Sequence, residues 1–573
     1  MPVRLPIAAE VEKICRSAHL AKARSLQELL HFVVERRLAN RDDTLKEYTI
    51  GVEVFGRDED FDPRVDPIVR VQARNLRKRL DRYYHENESA IRIELPRGCY
   101  VPQFHEADGS ESHDPPELQQ PSIIVLPFAN LTGDPSQEFI ADGVAEEVIH
   151  SLAQLPSVRV VARTSAFSFK GTPIDIAEIG RTVQAEFALE GSLRRQGERL
   201  RVTAQLIKTS DGYNVWSQVF DGVDEDILRF QQQIAEAIAE LLPPGEDEAR
   251  PKLRLQSANF ASYHAYIQGW RHWYRWNPEG FRAAIESFER SVEADPTNAR
   301  AYAGLAFAYA VLANFAVVNP LEVAPKAQTA AERAIELDPM SGEALAARAT
   351  IRSVIDFDWD GAEEDYKRAI RANPNFVGAR IGYAQTVLLP QARWDEAIAQ
   401  AEEAVDLDPL APGMVQELAA TYYFGGRYDE ALEQCDHCEQ LTEESAYAIN
   451  LRGWVALGQR DYEQALVDFR RADLPGLPAM FRGGTGLALG FLGQRDEALE
   501  AIADLRARPE PSDFWIGCVY DALEEIDEAV AFAERAIENR EPQARYLAMD
   551  YTNCFGDPRF HALIRRLNLP LPD

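Results

Sequence analysis

Beyond about residue 260, small and apolar residues recur with helical spacing inside a longer period. An alanine stands at 284, 327, 362, 397, 431, 465, 498 and 529, in steps of 43, 35, 35, 34, 34, 33 and 31. Around it the same offsets return: Ala284 and Phe288; Ala362, Tyr366 and Ala369; Ala397, Ala401 and Ala404; Ala465, Phe469 and Ala472; Ala529, Ala533 and Ala536. Offsets of four and seven lie on one face of a helix. Prolines at 296, 339, 374 and 409 end the second helix of several units. The pattern predicts an all-α array of about eight helix pairs over 258–573. Small side chains would let neighbouring helices approach closely.

The pattern changes before that array. SIIVLPF (122–128) is a continuous apolar run of the buried-strand type, and VRVVAR (158–163) predicts a second strand. Between them Asp134 is placed to cap a helix over about 137–153, with Pro135 at its first position. A second helix is expected over 174–184. Residues 185–222 then alternate as paired strands, with turns at Gln196-Gly197 and Asp211-Gly212. An α/β domain over 121–242 follows.

Near the N-terminus, 25–39 reads as an amphipathic helix with Ser25 and Glu28 as a capping box. A helix over 45–56 comes next. In a helix over 69–84, Val69, Ala73, Leu76, Leu80 and Tyr83 share one face. Arg70, Val71, Arg74, Asn75 and Lys78 fall on the other side, with Arg77 beside them. Residues 90–104 alternate as a hairpin, with a turn at Gly98.

Charge separates these parts. The chain carries a formal net charge of -32, yet residues 1–104 hold 19 Lys and Arg against 17 Asp and Glu. The acidic stretch 105–120 is a linker by composition, and 243–257 is a second break. A chain this acidic does not coat nucleic acid along its whole length, so any such contact belongs to the basic helix. Six cysteines are too few for a disulfide scaffold, and no signal-peptide core is present. A cytoplasmic location is the expectation. Residues 301–318 carry no charge over 18 positions but are Ala-rich and lie inside the array, so they read as a repeat helix rather than a membrane span.

Motifs for catalysis are weak. Cys435 and Cys438 stand four and seven residues after Ala431, which are packing positions in the other units. GGTGLALG (483–490) follows no strand and reads as close helix packing. The chain has no GxxxxGK[ST], HExxH or GxSxG. No catalytic residue, cofactor or metal is expected. The aromatic run YHAYIQGWRHWYRW (263–276) reads as the packed first helix of the array or as a binding surface.

Three resemblances follow from these residues. The 34-residue period resembles the tetratricopeptide repeat, which implies a protein or peptide partner on the concave face. The order of elements over 121–242 resembles the N-terminal domain of TolB and the FlgO-like domains. Some proteins with that domain and such repeats also carry a nucleotide cyclase domain, and every segment here is otherwise assigned. Residues 20–104 resemble the winged-helix domain of OmpR/PhoB response regulators and CadC-type activators. The matching residues are Arg74-Asn75-Leu76-Arg77-Lys78-Arg79-Leu80 and Arg97-Gly98-Cys99-Tyr100. Before the helix, DEDFDPRVDPIVR departs from that family's pattern with several acids.

The winged-helix resemblance implies that Arg70, Val71, Arg74 and Asn75 meet base edges or nearby phosphates in duplex DNA. Arg77, Lys78 and Arg97 would meet phosphate. The expectation is a bacterial transcriptional regulator that is not an enzyme, with the array receiving a protein signal. The alternative is a protein-interaction scaffold in a signalling complex that does not bind DNA.

Overall fold

The computed structural model describes residues 4–106, 120–242 and 259–571, apart from short stretches within each. The chain forms two compact units, Met1–Pro121 and Ser122–Asp573.

The first unit opens with a helix that the apolar pattern did not announce, α1 (Arg4–Arg16). There follow α2 (Arg24–Leu38), α3 (Glu47–Glu53), α4 (Ile68–Glu86) and a hairpin of β1 (Ile91–Glu94) and β2 (Gln103–Glu106). The strands are antiparallel, with Ile93 opposite Phe104. The capping box at Ser25 is corrected: Ala23 precedes α2 without a side-chain cap. Ser25 lies inside the helix, and Glu28 pairs with Arg24 at 3.0 Å.

The second unit begins with a mixed sheet. Its elements are β3 (Ser122–Val125), β4 (Ala129–Asn130), α5 (Glu138–Ala153), β5 (Arg159–Val160), α6 (Arg163–Phe167), α7 (Ile176–Val183), β6 (Phe187–Gln196), β7 (Arg199–Lys208), β8 (Asn214–Gly222) and α8 (Ile227–Leu241). The strand order is β5-β3-β6-β7-β8, with β4 beside β6. β3 is parallel to both neighbours. Its Ile123, Ile124 and Val125 are buried on both faces, which accounts for the unbroken apolar run. Asp134 accepts from the Ser136 N–H at 2.9 Å, with Pro135 at the first position of the turn leading into α5. The strand expected over 158–163 shrinks to Arg159–Val160, and the chain turns at once into α6.

Eight helix pairs follow among the described residues: α9 (Phe260–Trp273) with α10 (Pro278–Ala294), α11 (Ala299–Asn314) with α12 (Pro320–Leu337), α13 (Gly342–Ile351) with α14 (Trp359–Ala372), and α15 (Val377–Tyr383) with α16 (Trp394–Leu407). Then come α17 (Pro412–Phe424) with α18 (Tyr428–Leu441), α19 (Ala446–Gly458) with α20 (Tyr462–Ala472), α21 (Ala479–Phe491) with α22 (Arg495–Arg506), and α23 (Asp513–Ala522) with α24 (Ile526–Glu538). Short helices α25 (Leu547–Asp550) and α26 (Pro558–Arg566) close the chain. The alanines at 284, 327, 362, 397, 431, 465, 498 and 529 are all fully buried. Two first helices continue as π-helix, at Arg352–Asp356 and Ala384–Leu388.

The glycine-rich run lies in α21, where it sets helix distance. A Cβ at Gly483 would stand 2.9 Å from the Trp515 ring, and one at Gly490 would stand 2.8 Å from the Ala522 Cβ. No helix among the described residues is long and apolar enough to cross a membrane, and 301–318 falls largely in α11. Replacing Gly490 with Ala adds a methyl where the neighbour is small and backbone lies close behind it. We expect Gly490→Ala to cost about 1–3 kcal/mol, read as an earlier urea midpoint for loss of helix signal.

Candidate interaction surface

The basic helix α4 is a packed element. It meets α2, α3 and β1, so its buried arc is wider than a single apolar stripe. Val71 is buried along with Val69, Ala73, Leu76, Leu80 and even Gln72. The expectation of Val71 as an outward base contact is therefore corrected: neighbours cover the helix on more than one side. Arg70 pairs with Glu47 at 2.9 Å and donates to the Pro63 carbonyl at 2.7 Å. Arg77 donates to the Leu95 carbonyl at 2.8 Å, and Arg79 to the His19 carbonyl at 2.6 Å. These guanidiniums tie α4 to the segments around it. Arg74 and Asn75 are half-buried. Arg97 and the Lys78 side chain lie outside the described residues, as does the turn at Gly98.

The second unit presents a different surface, which the sequence did not disclose. The helix α5 buries Ile140, Ala141, Val144, Ala145, Val148, Ile149 and Leu152, and none of its sixteen residues is exposed. A helix of that kind must be covered on both sides. One side meets the sheet and α8. The other meets α9, where Phe139 packs edge-on against His264, with ring centroids 4.5 Å apart. A Cβ on Gly143 would stand 3.0 Å from the Tyr263 hydroxyl. One hydrophobic core runs from Val125 and Leu189 through Val148 and Phe230 to Ile267, Trp273 and Phe288. Within the aromatic run, Tyr263, Tyr266 and Trp273 of α9 are thus core, while Tyr274 is exposed and Trp276 lies outside the described residues.

From α9, α5 and the loop after it pass the N-terminal ends of successive first helices. Arg300, at the start of α11, pairs with Glu147 of α5. Burial pushes the Glu147 carboxyl up, but Arg300 and His150 outweigh it and hold it below the usual carboxylate value. Glu343, at the start of α13, stands 3.4 Å from His150 Nδ1. Its carboxyl is likewise held low against burial, by His150.

Next comes Asn375, ahead of α15. Its Oδ1 accepts the Val160 N–H, and its Nδ2 donates to the carbonyls of Ala153 and Val158, all at 3.0 Å. The side chain acts as an extra piece of strand on β5. Ahead of α17, Asp408 accepts from the Ser165 N–H at 2.8 Å and from its hydroxyl at 2.6 Å. The Leu407 carbonyl accepts the Ala162 N–H at 2.8 Å. In earlier units, the aspartates at 295 and 338 accept from their own turns, at Thr297 and Met340. Asp408 keeps the motif but turns its carboxylate to the α/β layer.

The opposite ends of the first helices are met by the chain's own C-terminal part. The Trp359 indole donates to the Leu567 carbonyl at 2.7 Å, Arg540 to the Ile355 carbonyl at 3.0 Å, and the Tyr546 hydroxyl to the Gln385 carbonyl at 3.0 Å. Tyr546 also stacks on Phe424. The carbonyls of Ile355 and Gln385 belong to the two π-helical segments, where the ordinary helix ladder is altered. Beside them, Gln385 donates to the Glu417 backbone carbonyl and to Thr421. Burial, only partly offset by Arg545, pushes the Glu417 carboxyl up to about 7.

Models described as tetratricopeptide repeat match residues 358–412, 386–437 and 514–542. The helical array is a tetratricopeptide-repeat superhelix. A curated relative from Rhizobium meliloti (strain 1021), named "Putative adenylate cyclase 3", is 32% identical over 235 residues, which are 39% of this chain. The match spans 39% of that relative's length. Among solved structures, the chain is similar to PilF of Pseudomonas aeruginosa, at 21% identity over 37% of this chain and 91% of that one, with a TM-score of 0.29. It is also similar to the Cut9-Hcn1 hetero-tetramer of the APC/C, at 17% identity over 60% and 59%, with a TM-score of 0.38.

Within the repeats, Cys435 and Cys438 are buried in α18, and burial pushes the Cys435 thiol up to about 12. That is the environment of a packing residue, not of a reactive thiolate.

Two outcomes are expected. Asn375→Ala leaves one N–H and two carbonyls without partners and should cost about 2–4 kcal/mol, with faster proteolysis of 153–165. For Glu417, a folded pKa above the unfolded one means that stability falls as pH rises from about 4.5 to about 7. Glu417→Gln should flatten that part of the pH–stability curve, measured by urea unfolding at each pH.

Proposed function

We propose that this chain is a non-enzymatic protein-interaction scaffold in a signalling complex, with a tetratricopeptide array that is closed by the chain's own segments until a partner displaces them. The supporting observation is the seam at Asn375 and Asp408. There, two inter-repeat loops bind an α/β layer through hydrogen bonds that an extended protein segment could replace. The relative named as an adenylate cyclase supports a signalling setting. In this reading 121–242 is a TolB-like regulatory layer, and the partner is a protein or peptide with exposed backbone and apolar groups.

A second reading keeps DNA in play. The order α4, β1, β2 supports a winged helix, and Arg74 and Asn75 are half-buried rather than fully covered. The engagement of Arg70, Arg77 and Arg79 within the unit weighs against it.

One experiment separates the readings. Full-length wild type and Asn375→Ala are titrated by fluorescence anisotropy with duplex DNA, and in parallel used to capture proteins for stoichiometric quantification. The scaffold reading expects no salt-sensitive DNA binding and a partner held at near one-to-one, several-fold more on Asn375→Ala. Tight DNA binding lost in Arg74→Ala, with no protein retained, would replace it with the second reading. Six phosphate contacts would cost such a complex roughly a thousandfold between 50 and 200 mM salt.

A further inference from the structure

The repeats cover one edge of the six-stranded sheet and leave the other open. At the β5 edge, Asn375 takes up the Val160 N–H and Leu407 takes up that of Ala162. The opposite edge is β8, which pairs along one side with β7 and with no further strand among the described residues. An edge strand presents a row of N–H and C=O groups to any second strand. Folded proteins usually guard such edges with lysine, proline or short length.

β8 carries none of these guards. Its nine residues, NVWSQVFDG, contain no lysine, arginine or proline. Its one charge, Asp221, is held by Arg201 through bonds of 2.6 and 2.9 Å. The register shift against β7 is confined to the start of the strand, at Val215, and the pairing is regular from Trp216 to Gly222.

The solvent row is self-complementary. Val215, Val219 and Val223 are 48%, 50% and 40% exposed. Ser217 and Asp221 stand between them, so the row reads Val-Ser-Val-Asp-Val; Val223 follows the strand, with its N–H on Asp226 Oδ2 and its carbonyl accepting the Asp226 N–H, so the open backbone is that of β8 itself. Its alternation of apolar and polar is unchanged when reversed. In an antiparallel pairing centred on Val219, each Val219 faces its counterpart in the second copy. Ser217 then faces Asp221 and can donate to it, within the part of the strand whose pairing with β7 is regular. Opposed β-branched residues and opposed hydroxyl–carboxylate pairs both favour such a ladder.

We propose that β8 is a homodimerisation edge, through which two copies of this chain pair antiparallel and join their sheets across a twofold axis. A foreign strand would give no reason for a reversible row, whereas a twofold contact requires each patch to complement itself. The contact is a single strand pair, smaller than the interfaces of obligate dimers, so the dissociation constant should be roughly micromolar.

The test is sedimentation velocity of the full chain from about 1 to 100 µM, the range that brackets a micromolar equilibrium. We expect a concentration-dependent dimer, and at least a tenfold weakening in Val219→Lys, whose two ammonium groups would face each other. Val219 is half-exposed, so the thermal midpoint of the variant should match wild type. Val219→Cys should form a covalent dimer under mild oxidation that the wild-type chain, treated alike, does not form. Ser217→Cys should cross-link with Asp221→Cys but not with itself. A monomer at every concentration overturns the proposal. So does a dimer that Val219→Lys leaves intact.

Discussion

The second unit depends on the burial of α5 on both sides. The sixteen residues of α5, none of them exposed, cannot be covered by the sheet alone. The first repeat supplies the missing wall, so the sheet and the array share one core from Val125 to Phe288. The polar groups that α5 does carry must then find partners inside the contact. Glu147 meets Arg300, His150 meets Glu343, and Glu146 meets Arg163, whose guanidinium lies 3.9 Å from the Tyr274 ring. Leaving any of these charges unpaired would cost more than the pair itself contributes. The ionic pairs therefore fix where the α/β layer sits along the repeats.

This arrangement changes what the array can offer. The N-terminal ends of its first helices are occupied from Arg300 to Asp408. Their C-terminal ends are met by the closing segments at Arg540, Tyr546 and Leu567. A tetratricopeptide array read from sequence alone looks like an open receptor. Here both rims of repeats three to five carry intramolecular contacts. At the α/β layer these are the amide of Asn375 and the carboxylate of Asp408; at the closing segments the hydrogen bonds are joined by a shared core of Phe357, Trp359, Phe560 and Leu567.

The period of the repeats was legible because small residues at helix contacts are dictated by geometry, unit after unit. The strand and helix order between 122 and 242 was legible from alternation and from Asp134-Pro135. The seam was not. Asn375 and Asp408 sit in turns where Asn and Asp are common for local reasons, and nothing in a single sequence says where their side chains point. No plain signal came from α5 either: Glu138, Asp142, Glu146 and His150 recur every four residues and read as a solvent stripe, yet the fold covers them. The basic helix misled for a similar reason. A wheel assumes one buried side, and α4, packed by α2, α3 and β1, has more than one. Val71 and Gln72 went inside, while Arg70 and Arg77 found carbonyls nearby.

If the sheet and the first repeats share one core, they must open together. Hydrogen exchange followed by mass spectrometry on the full chain tests this directly. The account predicts that amides of α5, β3 and α9 exchange through a common opening, with the same dependence on added urea. Fast, independent exchange of α5 and β3 while α9 stays protected would contradict it.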